Sequence, residues 1–469
     1  MEPLASTTAE DNRPHVVLLA SPGAGHLIPM AELARRLADH HGVAPTLVTL
    51  AGLSEPTPPC SPRCRPPWPP PFSRPRRTSA AVMRRFVPQL RALVVGIGST
   101  TAAIVCDFFG TPALALVAEL GVPGYVFFPT SISFISVVRS VVELHDDAAV
   151  GEYRDLPDPL VLPGCAPLRH DEIPDGFQDC ADPNYAYVLE EGRRYGGADG
   201  FLVNSFPEME PGAAEAFRRD AENGAFPPVY LVGPFVRPNS NEDPDESACL
   251  EWLDHQPAGS VVYVSFGSGG ALSVEQTAEL AAGLEMSGHN FLWVVRMPST
   301  GRLPYSMGAG HSNPMNFLPE GFVERTSGRG LAVASWAPQV RVLAHPATAA
   351  FVSHCGWNST LESVSSGVPM IAWPLYAEQK MNTVILTEVA GVALRPVAHG
   401  GDGGVVSRKE VAAAVKELMD PGEKGSAVRR RARELQAAAA ARAWSPDGAS
   451  RRALEEVAGK WKNAVREDR

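Results

Sequence analysis

Residues 336–379 read WAPQVRVLAHPATAAFVSHCGWNSTLESVSSGVPMIAWPLYAEQ. Phe351-Val-Ser353 ends an apolar run of strand character, and His354-Cys-Gly-Trp-Asn-Ser359 is a polar turn. The helical pattern that follows stops at Gly367, with Pro369 beyond it. Gly356 allows a backbone to come close to a ligand. Strand, tight turn and helix N-terminus together make an anion site, because free backbone N–H groups and the positive end of the helix point at a phosphate. His354, Asn358 and Ser359 add side-chain donors. Glu362 is expected in the first helical turn, where a carboxylate is electrostatically favoured and can hold a ribose diol. Taken singly, Trp336 and Trp357 read as packing aromatics and His354 as a capping residue; their joint spacing sets them apart.

Upstream of this stretch, 261–266 reads as a strand, Ser268-Gly-Gly270 as a turn and the segment with Leu280 and Leu284 as a helix. Further strands are expected at 291–295, 331–335, 349–353 and 370–373. The first half repeats the pattern. A strand at 15–20 leads through the turn 21–25 to a helix from Ile28, with Pro29 in its first turn, and strands follow at 46–50, 103–107 and 125–128. Strands alternating with helices predict parallel βαβ units, hence an α/β protein with two Rossmann-like halves. A polar stretch at 237–247 reads as the exposed connection between them. The domains are expected at 1–240 and 241–450, with a helix over 451–469 returning toward the first.

The 44-residue stretch resembles, along its full length, the signature box of the plant family 1 UDP-dependent glycosyltransferases, whose fold is GT-B: two Rossmann-like domains facing across a cleft. The resemblance implies that Trp336 stacks on uracil, with Ala337 beside it and Gln339 at the uracil edge. His354, Gly356, Asn358 and Ser359 would hold the diphosphate, with Ser268 as a second contact. Glu362 would take the ribose hydroxyls. Trp357 would lie by the sugar, and Glu378 and Gln379 would bind its hydroxyls. Most relatives carry Asp where this chain has Glu378, and a terminal Gln such as Gln379 goes with glucose. No metal and no cofactor are implied; UDP-glucose is the donor substrate.

Gly23-Ala-Gly-His26 resembles the family's first loop, in which the histidine is the general base. Its place at a helix N-terminus, whose positive potential disfavours imidazolium, is expected to keep His26 neutral. Ile28 stands where a dinucleotide fingerprint would have its third glycine. Asp107 closes a strand at the crevice and matches the acid that orients the histidine; by itself it reads as an N-cap. The implied reaction is a single displacement that inverts the anomeric centre and gives a β-glucoside. A phenol, with a pKa of ~10, suits such a base. Stretches such as 21–28, 261–270 and 373–382 resemble the hydroquinone (arbutin synthase-like) branch. Phe127, Phe128, Ile132, Phe134 and Tyr187 are candidate liners of the acceptor pocket.

The chain has 469 residues and a formal charge of −11, which disfavours a nucleic-acid or anionic-membrane surface. Seven scattered cysteines, no signal-peptide pattern and no long apolar span point to a cytoplasmic protein, and the family resemblance to a monomer. Ten of the 44 prolines fall between Pro56 and Pro75, within a Pro- and Arg-rich segment at 54–79 that cannot donate a strand ladder. Relatives carry a strand there. Two further readings follow: a UDP-sugar-binding protein with an impaired acceptor side, and a nicotinamide-dependent Rossmann enzyme.

Overall fold

Short apolar runs set between glycines, prolines and polar turns form twelve strands among the described residues. They are β1 (His15–Ala20), β2 (Ala44–Thr49), β3 (Thr101–Asp107), β4 (Gly124–Phe128), β5 (Gly200–Val203), β6 (Val229–Leu231), β7 (Val261–Ser265), β8 (Asn290–Val295), β9 (Gly330–Ala334), β10 (Thr348–Ser353), β11 (Met370–Ala372) and β12 (Ala393–Leu394). This computed structural model describes residues 13–49, 79–146, 158–177, 180–237, 247–299, 313–396 and 404–467. All but the last residue of the Pro-rich segment, and most of the 237–247 connection, lie outside the described residues.

The strands make two six-stranded parallel sheets, ordered β2-β1-β3-β4-β5-β6 and β12-β11-β10-β7-β8-β9. Each order reverses once, between β1 and β3 in the first sheet and between β7 and β10 in the second. Such reversals open a crevice at the carboxyl ends of the strands. Register fixes what meets there. Leu19 of β1 pairs with Cys106 of β3, and Ser265 of β7 pairs with Ser353 of β10. The residues that follow these pairs are therefore brought together at two points, one per sheet.

Both faces of each sheet are covered, which is why the strands read as unbroken apolar runs. One face of the first sheet is closed by the C-terminal helix Ala449–Glu467, which places Leu454, Val457, Ala458 and Trp461 in one cluster with Val16, Leu18, Tyr125 and Phe127. Trp461 is fully buried, edge-on to Tyr125 at 5.4 Å. Phe127 thus faces this helix and stacks toward Phe235 at 6.1 Å, so it is core rather than an acceptor-pocket liner.

Three strands escaped the sequence reading. β5, β6 and β12 have four, three and two residues, too few to show a period. The helix expected from Ile28 begins at Ala24, so Pro29 lies inside it. Among the described residues no helix is long and apolar enough to cross a membrane.

Candidate active site

In the first sheet, the β1–β3 reversal joins His26 to Asp107. Gly23 caps the helix Ala24–His41 with φ 114°, a backbone state suited to glycine, and makes no side-chain cap bond. His26 is the third residue of that helix. Its Nδ1 lies 2.8 Å from Asp107 Oδ2. A carboxylate only accepts, so Nδ1 carries the hydrogen and Nε2 keeps a basic lone pair. Asp107 is fully buried. Its Oδ1 accepts from Ser21 Oγ at 2.8 Å and from the backbone N–H of Phe109 at 3.1 Å. Asp107 thus caps the next turn with one oxygen and orients His26 with the other; Ser21 is a third member that the sequence reading missed.

Burial opposes the charged form of His26, but the Asp107 carboxylate, through its charge and hydrogen bond, outweighs it. Glu378, reaching in from the second half, adds to the effect, and the pKa stands above 6.5. The direction is opposite to the one expected from the helix end, because the carboxylate paired with the ring governs it.

Aromatic rings stand against the pair. Phe108 and Phe109 lie 5.5 and 5.3 Å from the His26 ring, Phe108 continues to Phe128 and Phe134, and Phe109 to Tyr187. Phe128 and Phe134 are buried, whereas Phe108, Phe109 and Tyr187 are half-buried and form the open side of the cluster. Phe108 and Phe109 were legible in principle, since they follow Asp107 at a strand end.

In the second sheet, the β7–β10 reversal joins the Gly267-Ser268 turn to His354. A Cβ on either Gly267 or Gly356 would come within 2.5 Å of His354 Nε2. The ring therefore occupies a slot that two glycines keep open. Burial, helped by the charge of Arg296, lowers its pKa to about 4, so it is a neutral donor at pH 7. Ser268 is exposed on the rim. The helix Trp357–Ser366 begins at the Gly356 cap with no side-chain cap bond and no acidic residue in its first turn, which leaves its N–H groups to an anion.

Glu362 consequently lies in the second turn, not the first. Burial pushes its carboxyl up to about 7. Gln339 Nε2 donates to Glu362 Oε2 at 2.6 Å and to Ser359 Oγ at 2.8 Å, joining three of the expected residues in one network. Ala337 is buried next to it, and Trp336 is half exposed. At the far end, Gln379 is buried and its Oε1 accepts the backbone N–H groups of Leu375 and Tyr376. Glu378 is half-buried, and burial raises its pKa. Ser335, Cys355 and Ala377, the non-glycine residues with positive φ among the described residues, each sit within two residues of an expected contact, namely Trp336, His354 and Glu378. Backbone strain of this kind concentrates at ligand sites.

Two side chains of the box tie the halves together. Trp357 is buried and its indole N–H donates to Asn204 O at 2.7 Å, so its ring is engaged in the domain contact. Asn358 Nδ2 donates to Gly25 O at 3.2 Å. That carbonyl would ordinarily take the N–H of residue 29, but Pro29 has none. The proline inside the first helix thus leaves open the acceptor that Asn358 occupies.

A family model described as "UDP-glucoronosyl and UDP-glucosyl transferase" matches residues 228–429. UDP-glycosyltransferase 72B1 of Arabidopsis thaliana is 45% identical over 476 residues, covering 97% of each chain. Hydroquinone glucosyltransferase of Rauvolfia serpentina is 43% identical over 475 residues, 97% of this chain and 99% of that protein. The structure of Phytolacca americana UGT2 complexed with UDP-2fluoro-glucose and pterostilbene matches with a TM-score of 0.82 at 41% identity, covering 96% of this chain and 99% of the other. The chain belongs to the plant family 1 UDP-glycosyltransferases, enzymes of the GT-B fold.

Proposed function

We propose that this enzyme transfers glucose from UDP-glucose to the hydroxyl of a small phenolic acceptor, with inversion to the β-glucoside. The observation that carries the reading is the His26–Asp107 pair at 2.8 Å, set between the open aromatic cluster and the uncapped helix at Trp357. A phenol ring stacks on Phe108, Phe109 and Tyr187 with its hydroxyl toward His26 Nε2. As Nε2 takes that proton, the phenolate oxygen attacks the anomeric carbon from the face opposite UDP. Asp107 balances the imidazolium that forms. The leaving diphosphate is stabilised by the helix N-terminus and by His354, and no metal is required. Trp336 covers the uracil, the Gln339–Glu362–Ser359 network holds the ribose and first phosphate, and Glu378 and Gln379 bind the sugar hydroxyls. The enzyme works in the cytoplasm as a monomer.

The relatives support the acceptor class. One is named for hydroquinone, and the Phytolacca americana UGT2 structure contains pterostilbene. Incubation of the purified protein with UDP-glucose and hydroquinone is expected to give the phenol glucoside. Quenching of tryptophan fluorescence by UDP with no product, over a broad panel of phenols, would instead support a donor-binding protein with an impaired acceptor side.

A further inference from the structure

Arg296 directly follows the last residue of β8. Its Nη1 donates to Ser335 O at 3.2 Å. Ser335 holds φ 66° and immediately precedes Trp336. The charge of Arg296 is also one of two causes that lower the pKa of His354. Arg296 therefore braces the turn that carries the aromatic plate expected at the base and acts electrostatically on the histidine expected at the diphosphate. Its Nε is buried and has no hydrogen-bond partner. Among the described residues no Asp or Glu pairs with it, and burial lowers its own pKa with only the Tyr376 phenol opposing. A guanidinium stays charged, and its desolvation is normally offset by a carboxylate or a phosphate. Among the described residues no such carboxylate stands beside it, while the neighbouring turn at His354 reads as an anion site.

We propose that Arg296 is a further donor-site residue, whose guanidinium completes its hydrogen bonds on the diphosphate of the bound nucleotide. The inference rests on the reading of this cleft as the UDP-sugar site. It assigns the phosphate a cationic partner outside the 336–379 box.

The test compares the affinities of UDP and uridine, by calorimetry, for the wild-type protein and Arg296→Gln. A charge-assisted hydrogen bond to phosphate predicts a loss of roughly 10- to 100-fold for UDP. Uridine, which lacks the phosphates, is expected to lose no more than about twofold. Equal losses for both ligands would mean that Arg296 only supports the Trp336 turn, and unchanged UDP affinity would mean that it makes no contact; either overturns the proposal. If Arg296→Gln does not fold, Arg296→Met keeps the aliphatic stem and removes the guanidinium, and the UDP and uridine affinities are compared in the same way. Binding is read without acceptor or turnover. A protein that binds UDP through Arg296 yet forms no phenol glucoside would fail the proposed function and leave this inference standing.

Discussion

At the scale of single residues, the proposed chemistry depends on which nitrogen of one imidazole is free. Asp107 fixes Nδ1–H and leaves Nε2 basic. The same carboxylate raises the pKa of His26 against the effect of burial. Only the neutral ring can take a proton, so kcat/KM falls as pH drops through this raised pKa. Asp107→Asn removes the charge that raises it and leaves the burial that lowers it. The acidic inflection of kcat/KM is therefore expected to move to lower pH, with a loss of rate on the order of 10²- to 10⁴-fold. An inflection that stays in place in a pH-rate profile would show that another group titrates. His26 and Asp107 were legible in the sequence from loop type and strand-end position. Ser21 was not, and Phe108 and Phe109 were legible only by their position after Asp107, because a serine in a turn and a pair of phenylalanines carry no chemistry until the fold puts them against the imidazole.

At the scale of elements, the site is made by two turns at two sheet reversals, and small residues set its shape. Gly356 has φ −63°, a conformation open to any residue, so its need for glycine is one of space alone. Gly356→Ala would put a methyl group within 2.5 Å of His354 Nε2 and displace the ring. UDP affinity is expected to drop by about 10-fold, the worth of one hydrogen bond to a charged group, with little change in melting temperature. A retained affinity in a binding titration would show that His354 does not contact the nucleotide. The box was readable as strand, turn and helix because its apolar run, its turn residues and its Gly367 stop are all local signals. The start of the first helix was misplaced by four residues. Pro29 was read as a first-turn residue, whereas tertiary context tolerates it inside the helix: the carbonyl it leaves unpaired is taken by Asn358, 333 positions away. β5, β6 and β12 were illegible for a related reason, since strands this short are held by their neighbours rather than by their own pattern.

At the scale of the molecule, the two halves are joined by bonds from the 336–379 box itself, Trp357 to Asn204 and Asn358 to Gly25. An ion pair between Arg395 and the buried Glu172 at 2.9 Å adds a third link. The C-terminal helix returns to close the first sheet. Its anchor, Trp461, is fully buried, and Trp461→Ala is expected to cost about 3–5 kcal/mol, read as a lowered denaturation midpoint. An unchanged midpoint would mean that this helix is dispensable for the first half. The central claim is a division of labour, in which the first sheet supplies the base and the second holds the donor. It is tested most directly by His26→Ala, assayed in parallel for glucosyl transfer to hydroquinone and for UDP binding. The account predicts that transfer is abolished while UDP affinity stays within about twofold of wild type; undiminished turnover, or UDP affinity lost together with transfer, would contradict it.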